Sequence, residues 1–274
     1  MQVNIADHEC TIIWDGVYYF ALSNYPNISA WELQKLRAFI DYESHHGRKT
    51  EIICDNEHIM AAVNEFLLNP CNLSVMPPTK ITECTACKYH GCLTEFVCHT
   101  ASIENAKKIL SSGKLLSAVK AFDKSADEIV AERVNDVMEP HDPPDFFEYV
   151  MFTWGNCQAG DNIIMQRKWR TLLTVEKLEK DLTPGVRFYF KYSDIINHPK
   201  YVFDGYHPAK IKNEFELWGY LYACIVPELY RDDVETLIEP NFADKVHYIP
   251  QDNLGIWDWS ERVYEFITKL SQFD

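Results

Sequence analysis

Apolar and polar positions change period along the chain and mark out its elements. Residues 11 to 23, "TIIWDGVYYFALS", are two apolar runs around Asp15-Gly16, a dipeptide that favours a tight turn, so two short hairpin strands are predicted there. From Ser29 to about His46, Leu33, Leu36, Phe39 and Ile40 recur at helical period, with Ser29 placed to cap the helix. A strand, "TEIIC", and a second helix from about Asn56 to Leu68 follow. The Pro- and Asn-rich stretch "NPCNLSVMPPTK" then reads as a linker. This divides the chain near residue 80 into a small α/β unit, 1–80, and a larger domain, 81–274.

The larger part contains "FVCHTASIENAKKIL", an apolar strand that turns into a helix. Ser102 caps the helix, Glu104 lies in its first turn, and Ile103, Ala106, Ile109 and Leu110 form the apolar face. Ser125 and Glu128 make a capping-box pattern for a helix running to about Met138. Three prolines make "EPHDPPD" a loop. Further strands are predicted over 147–154, 185–191 and 214–226, and helices over 174–181 and after Trp257. Strands and helices do not alternate regularly, which places the chain in the α+β class.

Composition narrows the function. A length of 274 residues allows a sizeable core without disulfide or metal staples, and the nine cysteines are odd in number and irregularly spaced. No window approaches an apolar membrane span and no signal peptide opens the chain, so a cytoplasmic protein with no membrane partner is expected. The formal charge of -15 argues against a broad phosphate-binding surface. The one local basic strip, Gln166-Arg167-Lys168-Trp169-Arg170, reads either as a nucleic-acid contact or as a solvated basic turn.

Four constellations could carry chemistry. Cys84, Cys87, His90 and Cys92 are zinc-type ligands, but all fall within nine residues, and one short loop wraps an ion poorly; packing cysteines on a turn is the competing reading. Cys98 and His99 are adjacent on a strand, so their side chains face opposite ways and cannot form a nucleophile dyad; Cys157 would need a distant histidine. Glu214 and Glu216 alternate around Phe215 and share one face at the mouth of an apolar segment; solvated residues that discourage strand pairing would look the same. Tyr149, Phe152 and Trp154 precede a polar turn, "GNCQAGDN", and would suit a flat heteroaromatic ring or plain core packing.

The order of these features resembles the ADP-ribosyltransferase superfamily, in particular its DarT-type branch, over residues 95 to about 230. The resemblance rests on His99 at the end of a first core strand, Ile103-Glu104-Asn105-Ala106 opening the helix, and Gly113-Lys114-Leu115 after it. An aromatic-Thr strand and a late strand with glutamates ahead of Val226-Pro227 complete it. The chain departs from that branch at Ala101-Ser102, where the branch has a Thr-His pair. The resemblance implies a split β-sheet with helices and transfer of ADP-ribose from NAD to a macromolecular acceptor, protein ahead of nucleic acid, or hydrolysis of NAD, in a toxin, defence or phage-host conflict system. It also implies site roles: Glu214 or Glu216 as the catalytic carboxylate, His99 and Thr100 on a ribose of NAD, and Tyr149, Phe152 or Trp154 stacked on nicotinamide. A non-catalytic acidic protein that binds a basic partner is the alternative. For His99 itself, a buried histidine satisfied by one backbone partner remains the structural alternative.

Overall fold

The computed structural model describes residues 1–8, 11–14, 16–45, 47–69, 95–133, 144–170 and 173–271. It is a mixed α and β structure of two compact units, one comprising Met1–Thr94 with Phe203–Pro208, the other Glu95–Val202 with Ala209–Asp274. The candidate zinc ligands Cys84, Cys87, His90 and Cys92 lie outside the described residues, as does most of the "NPCNLSVMPPTK" stretch.

In the first unit, β1 (Gln2–Ala6), β2 (Ile12–Trp14), β3 (Val17–Ala21) and β4 (Glu51–Ile53) form a sheet in the order β2-β3-β1-β4. The two expected strands pair antiparallel, Ile12 opposite Tyr19 and Trp14 opposite Val17, with Gly16 at φ +75, while Asp15 lies outside the described residues. β1 runs parallel to both β3 and β4, a pairing that the local pattern did not reveal. Alternation buries Val3, Ile5, Tyr18 and Phe20 against Leu36 and Phe39 of α1 (Ala30–His45) and Ile59 and Val63 of α2 (Glu57–Leu68). Ser29 begins α1 as expected: Glu32 N–H donates to its Oγ at 3.3 Å, while Glu32 Oε2 accepts from Ser29 N at 2.7 Å. Asn56 Oδ1 caps α2 by accepting from the His58 and Ile59 N–H groups.

Phe203–Pro208 belongs to this unit through contacts that only glycine permits. Tyr18 Oη donates to Gly205 O at 2.8 Å, and a Cβ at Gly205, where φ is +78, would lie 2.2 Å from the Lys35 carbonyl oxygen. Beside it the buried Asp204 accepts from the Tyr206 and His207 N–H groups and lies 3.1 Å from His207 Nδ1.

The second unit contains β5 (Phe96–Ala101), α3 (Ile103–Ser112), β6 (Lys114–Leu116), α4 (Ala118–Phe122), α5 (Ala126–Arg133), β7 (Tyr149–Trp154) and α6 (Ala159–Trp169). These are followed by α7 (Val175–Lys180), β8 (Val186–Lys191), α8 (Tyr192–Ile196), β9 (Tyr201–Val202), β10 (Ala209–Lys212) and β11 (Glu214–Glu216). β12 (Leu221–Pro227), α9 (Arg231–Val234), β13 (Val246–Ile249) and α10 (Ile256–Leu270) complete it. Seven strands form one mixed sheet in the order β13-β12-β8-β5-β7-β10-β9, in which only the β12-β13 pair is parallel. One face carries the main core, including Val97, Phe152, Val186, Phe188, Phe190 and Leu110. The other face carries Arg187 and Tyr189, which alternate with those residues along β8.

Three expectations are corrected. Residues 214–226 do not form one strand: β11 pairs with β6 in a separate two-stranded sheet, Glu214 opposite Leu116, while β12 pairs with β8. Between them Leu221 N–H donates to Leu217 O at 2.8 Å, closing a turn through Trp218, Gly219 and Tyr220. The "GNCQAGDN" stretch is a turn only to Gln158, after which α6 begins; the basic strip 166–170 is the C-terminal end of that helix, with Arg170 at φ +52. The strand expected from 147 starts at Tyr149, because Pro144–Glu148 form a turn of 3-10 helix. No helix among the described residues is long and apolar enough to cross a membrane.

Candidate functional site

The candidate site lies along β5, where the sheet opens. β5 and β7 pair only at Val97 with Trp154 and at Cys98 with Thr153; beyond Cys98 their ladder ends. His99 stands at that opening, on the face shared with Val97 and 6.3 Å from the Phe152 ring. Its Nδ1 lies 2.9 Å from the Met151 carbonyl oxygen. A carbonyl only accepts, so Nδ1 carries the proton, and in the neutral ring Nε2 presents a lone pair. Burial lowers the pKa of His99, with the Met151 bond acting in the opposite sense, so the ring is neutral at pH 7. Among the described residues Nε2 has no partner.

Thr100 does not join His99. Strand alternation sends it to the other face, where a Cβ on Gly160 of α6 would lie 2.4 Å from Thr100 Cβ. The glycine lets the helix settle directly on the threonine, so Thr100 packs under α6 and does not stand beside His99.

The three aromatic residues of β7 also separate. Phe152 is fully buried in the core, edge-on to Phe190 and Phe215 with centroids 5.5 Å away in each case. Tyr149 is on the opposite side of the strand, with the Lys210 ammonium 4.6 Å from its ring centroid. Trp154 shares the His99 face; it is half-buried and stands edge-on to Tyr192 at 5.0 Å.

Glu214 and Glu216 share one side of β11, as their spacing predicts, and Phe215 is buried on the other. Glu214 is half-exposed and lies 3.7 Å from Lys114 Nζ. Glu216 is exposed and has no side-chain partner among the described residues. Phe215 belongs to the aromatic cluster that includes Phe152, so both carboxylates project away from the cluster on which His99 rests. No hydrogen bond or ion pair joins either carboxylate to His99 among the described residues.

The pattern gave no notice of two arrangements. The first is a buried network on the Thr100 face: Asp161 Oδ2 pairs with Arg187, Asp161 Oδ1 accepts from Gly185 N at 2.6 Å, Arg187 donates to Ser260, and Tyr189 Oη donates to Gly155 O at 2.9 Å. It ties α6, β8 and α10 together; its members are far apart in sequence and carry no local signature. The second is His198, half-buried against Phe215 at 5.5 Å and Tyr220 at 5.7 Å. Its Nδ1 accepts from Lys200 N at 3.1 Å, so Nε2 carries the hydrogen.

Thiol chemistry finds little support. Burial pushes the Cys98 thiol up to about 12 and also raises Cys157, whose sulfur accepts from Ala159 N–H at the start of α6. Among the described residues no group of three or more His, Cys, Asp or Glu side chains is arranged to hold a metal ion. Comparison of the chain with protein-family profiles, with curated proteins and with solved structures finds no match.

Proposed function

We propose that the chain transfers ADP-ribose from NAD to a macromolecular acceptor, or hydrolyses NAD, in a toxin, defence or phage-host conflict setting, with a second unit built like the split sheet of the ADP-ribosyltransferases that it resembles. The observation that carries this reading is the opening between β5 and β7, with a neutral His99 held at its edge by the Met151 carbonyl. The free Nε2 lone pair would accept a hydrogen bond from a ribose hydroxyl of NAD. Trp154, half-buried on the same face, would lie against nicotinamide.

Breaking the nicotinamide–ribose bond sends the bonding electrons to nicotinamide and leaves positive charge on the ribose, which a carboxylate stabilises. Glu216 suits that role better than Glu214, since Lys114 already occupies Glu214. The net charge of -15 favours a protein acceptor over nucleic acid. NAD consumption should be abolished in Glu216→Gln and His99→Ala and only weakened in Glu214→Gln. Turnover unchanged in all three would sink the reading. Labelled NAD in lysate would then report whether label reaches protein, nucleic acid or neither.

The outward direction of both carboxylates, away from the cluster that holds His99, favours a second reading: an acidic protein that binds a basic partner without catalysis. It requires a stoichiometric complex together with no NAD turnover by the unaltered chain.

A further inference from the structure

We propose that His198 is a second ligand-binding residue of the His99 site, donating a hydrogen bond from Nε2–H to a carbonyl or phosphoryl oxygen of NAD. The inference rests on the NAD-dependent reading above and extends it to a residue that the resemblance does not assign.

Three observations converge on His198. Its tautomer is fixed, because the Lys200 N–H donates to Nδ1 at 3.1 Å and leaves the hydrogen on Nε2. Nε2–H has no partner among the described residues, although the ring is half-buried against Phe215 and Tyr220. That N–H is open to solvent, so a ligand oxygen can take the place of the water that meets it. Burial, and then Lys200, lower its pKa, so the ring is neutral at pH 7 and donates without adding charge.

His198 also belongs to the same aromatic cluster as His99. The path runs from His99 to Phe152 at 6.3 Å, to Phe215 at 5.5 Å and to His198 at 5.5 Å. The two imidazoles are complementary, one presenting a lone pair and the other an N–H. That pairing suits an elongated ligand with hydroxyl donors in one part and oxygen acceptors in another, as a dinucleotide has, rather than a single small polar group.

The test is steady-state NAD consumption by the full chain, its His198→Ala variant and its His198→Gln variant, whose amide keeps a donor. One lost hydrogen bond predicts a KM for NAD raised roughly three- to tenfold in His198→Ala. kcat should be essentially unchanged and most of the affinity regained in His198→Gln. An unchanged KM in His198→Ala, with the unaltered chain turning NAD over, overturns the role of His198 and leaves the NAD reading standing. Equal damage in both variants also overturns it, since ring packing rather than donation would then be at stake. Absence of NAD turnover and binding by the unaltered chain removes both. If His198→Ala does not fold, the imidazole N–H resonances of the unaltered, ¹⁵N-histidine-labelled chain decide: NAD should shift the His198 Nε2–H signal, and an unmoved signal during a saturating titration counts against the proposal.

Discussion

Removing Asp161 is the sharpest test of what holds the second unit together. Asp161 and Arg187 are both fully buried, so Asp161→Ala leaves a guanidinium whose remaining hydrogen-bond partners among the described residues are Ser260 and Tyr189. It also strips the Gly185 N–H of the acceptor that it meets at 2.6 Å. Burial alone pulls Arg187 toward neutrality, but Asp161 and then Tyr189 more than offset this and hold its pKa above the ordinary range, so the charge is present at any pH of interest.

Breaking a buried pair from one side costs about 3–5 kcal/mol, and the orphaned amide adds to the upper part of that range. At roughly 2–4 °C per kcal/mol for a unit of this size, the melting temperature should fall by about 6–20 °C. Circular dichroism on heating, with urea titration alongside, measures the loss. The companion Asp161→Leu/Arg187→Met removes both charges and should recover a substantial part of it. A single variant that melts within about 2 °C of the unaltered chain would refute the reasoning, as would a double variant no better than the single.

The first unit makes its own predictions. Gly205→Ala should destabilise it by about 2 kcal/mol or more, because the added Cβ meets the α1 backbone at 2.2 Å. Gly16→Ala, also at positive φ but in open space, should cost only about 1–2 kcal/mol; equal losses in urea titrations would contradict the close-approach argument. Burial pulls the half-buried Lys35 amine down to about 8, against the opposing pull of Glu32 and Asp204. Because the unfolded chain then holds that proton more tightly than the folded one, its contribution to stability is lowest below pH 8 and rises toward the ordinary lysine range. Acylation of Lys35, followed by mass spectrometry, should therefore inflect near pH 8, and an inflection near 10 would disprove it. If the lone pair of His99 holds NAD, turnover should stay level as pH falls through neutrality and drop only on the acid side of the usual histidine range, where Nε2 gains a proton.

Much of the local structure was legible because its signals are local. Ser29 with Glu32, Ser102 and Ser125 with Glu128 each begin a helix where the sequence places them, since a cap is decided within one turn. α6 was hidden for a physical reason: its buried residues are Asp161 and Met165, with Gly160 lying against Thr100, so it has almost no apolar stripe to reveal its period. The break between β11 and β12 was equally hidden, because after Glu216 the run "LWGYLYACIV" carries no charge to mark it and the strand that captures Glu214–Glu216 is β6, far upstream. At the candidate site the residue types were readable but not their company. Alternation alone separates His99 from Thr100, whereas the opening that frames His99 depends on where the ladder to β7 stops.

The segment Phe203–Pro208 bears on the order in which the molecule can be assembled. β9 and β10, the strands on either side of it, pair with each other at the edge of the second unit's sheet, yet the six residues between them supply Gly205 and Asp204 to the first unit. A ribosome therefore releases all of β1 to α2 long before the backbone carbonyl that Tyr18 needs has been made. The N-terminal unit must wait, with that hydroxyl answered by water, until most of the second unit has emerged. A fragment cut after the N-terminal unit's own helices would carry the same vacancy permanently.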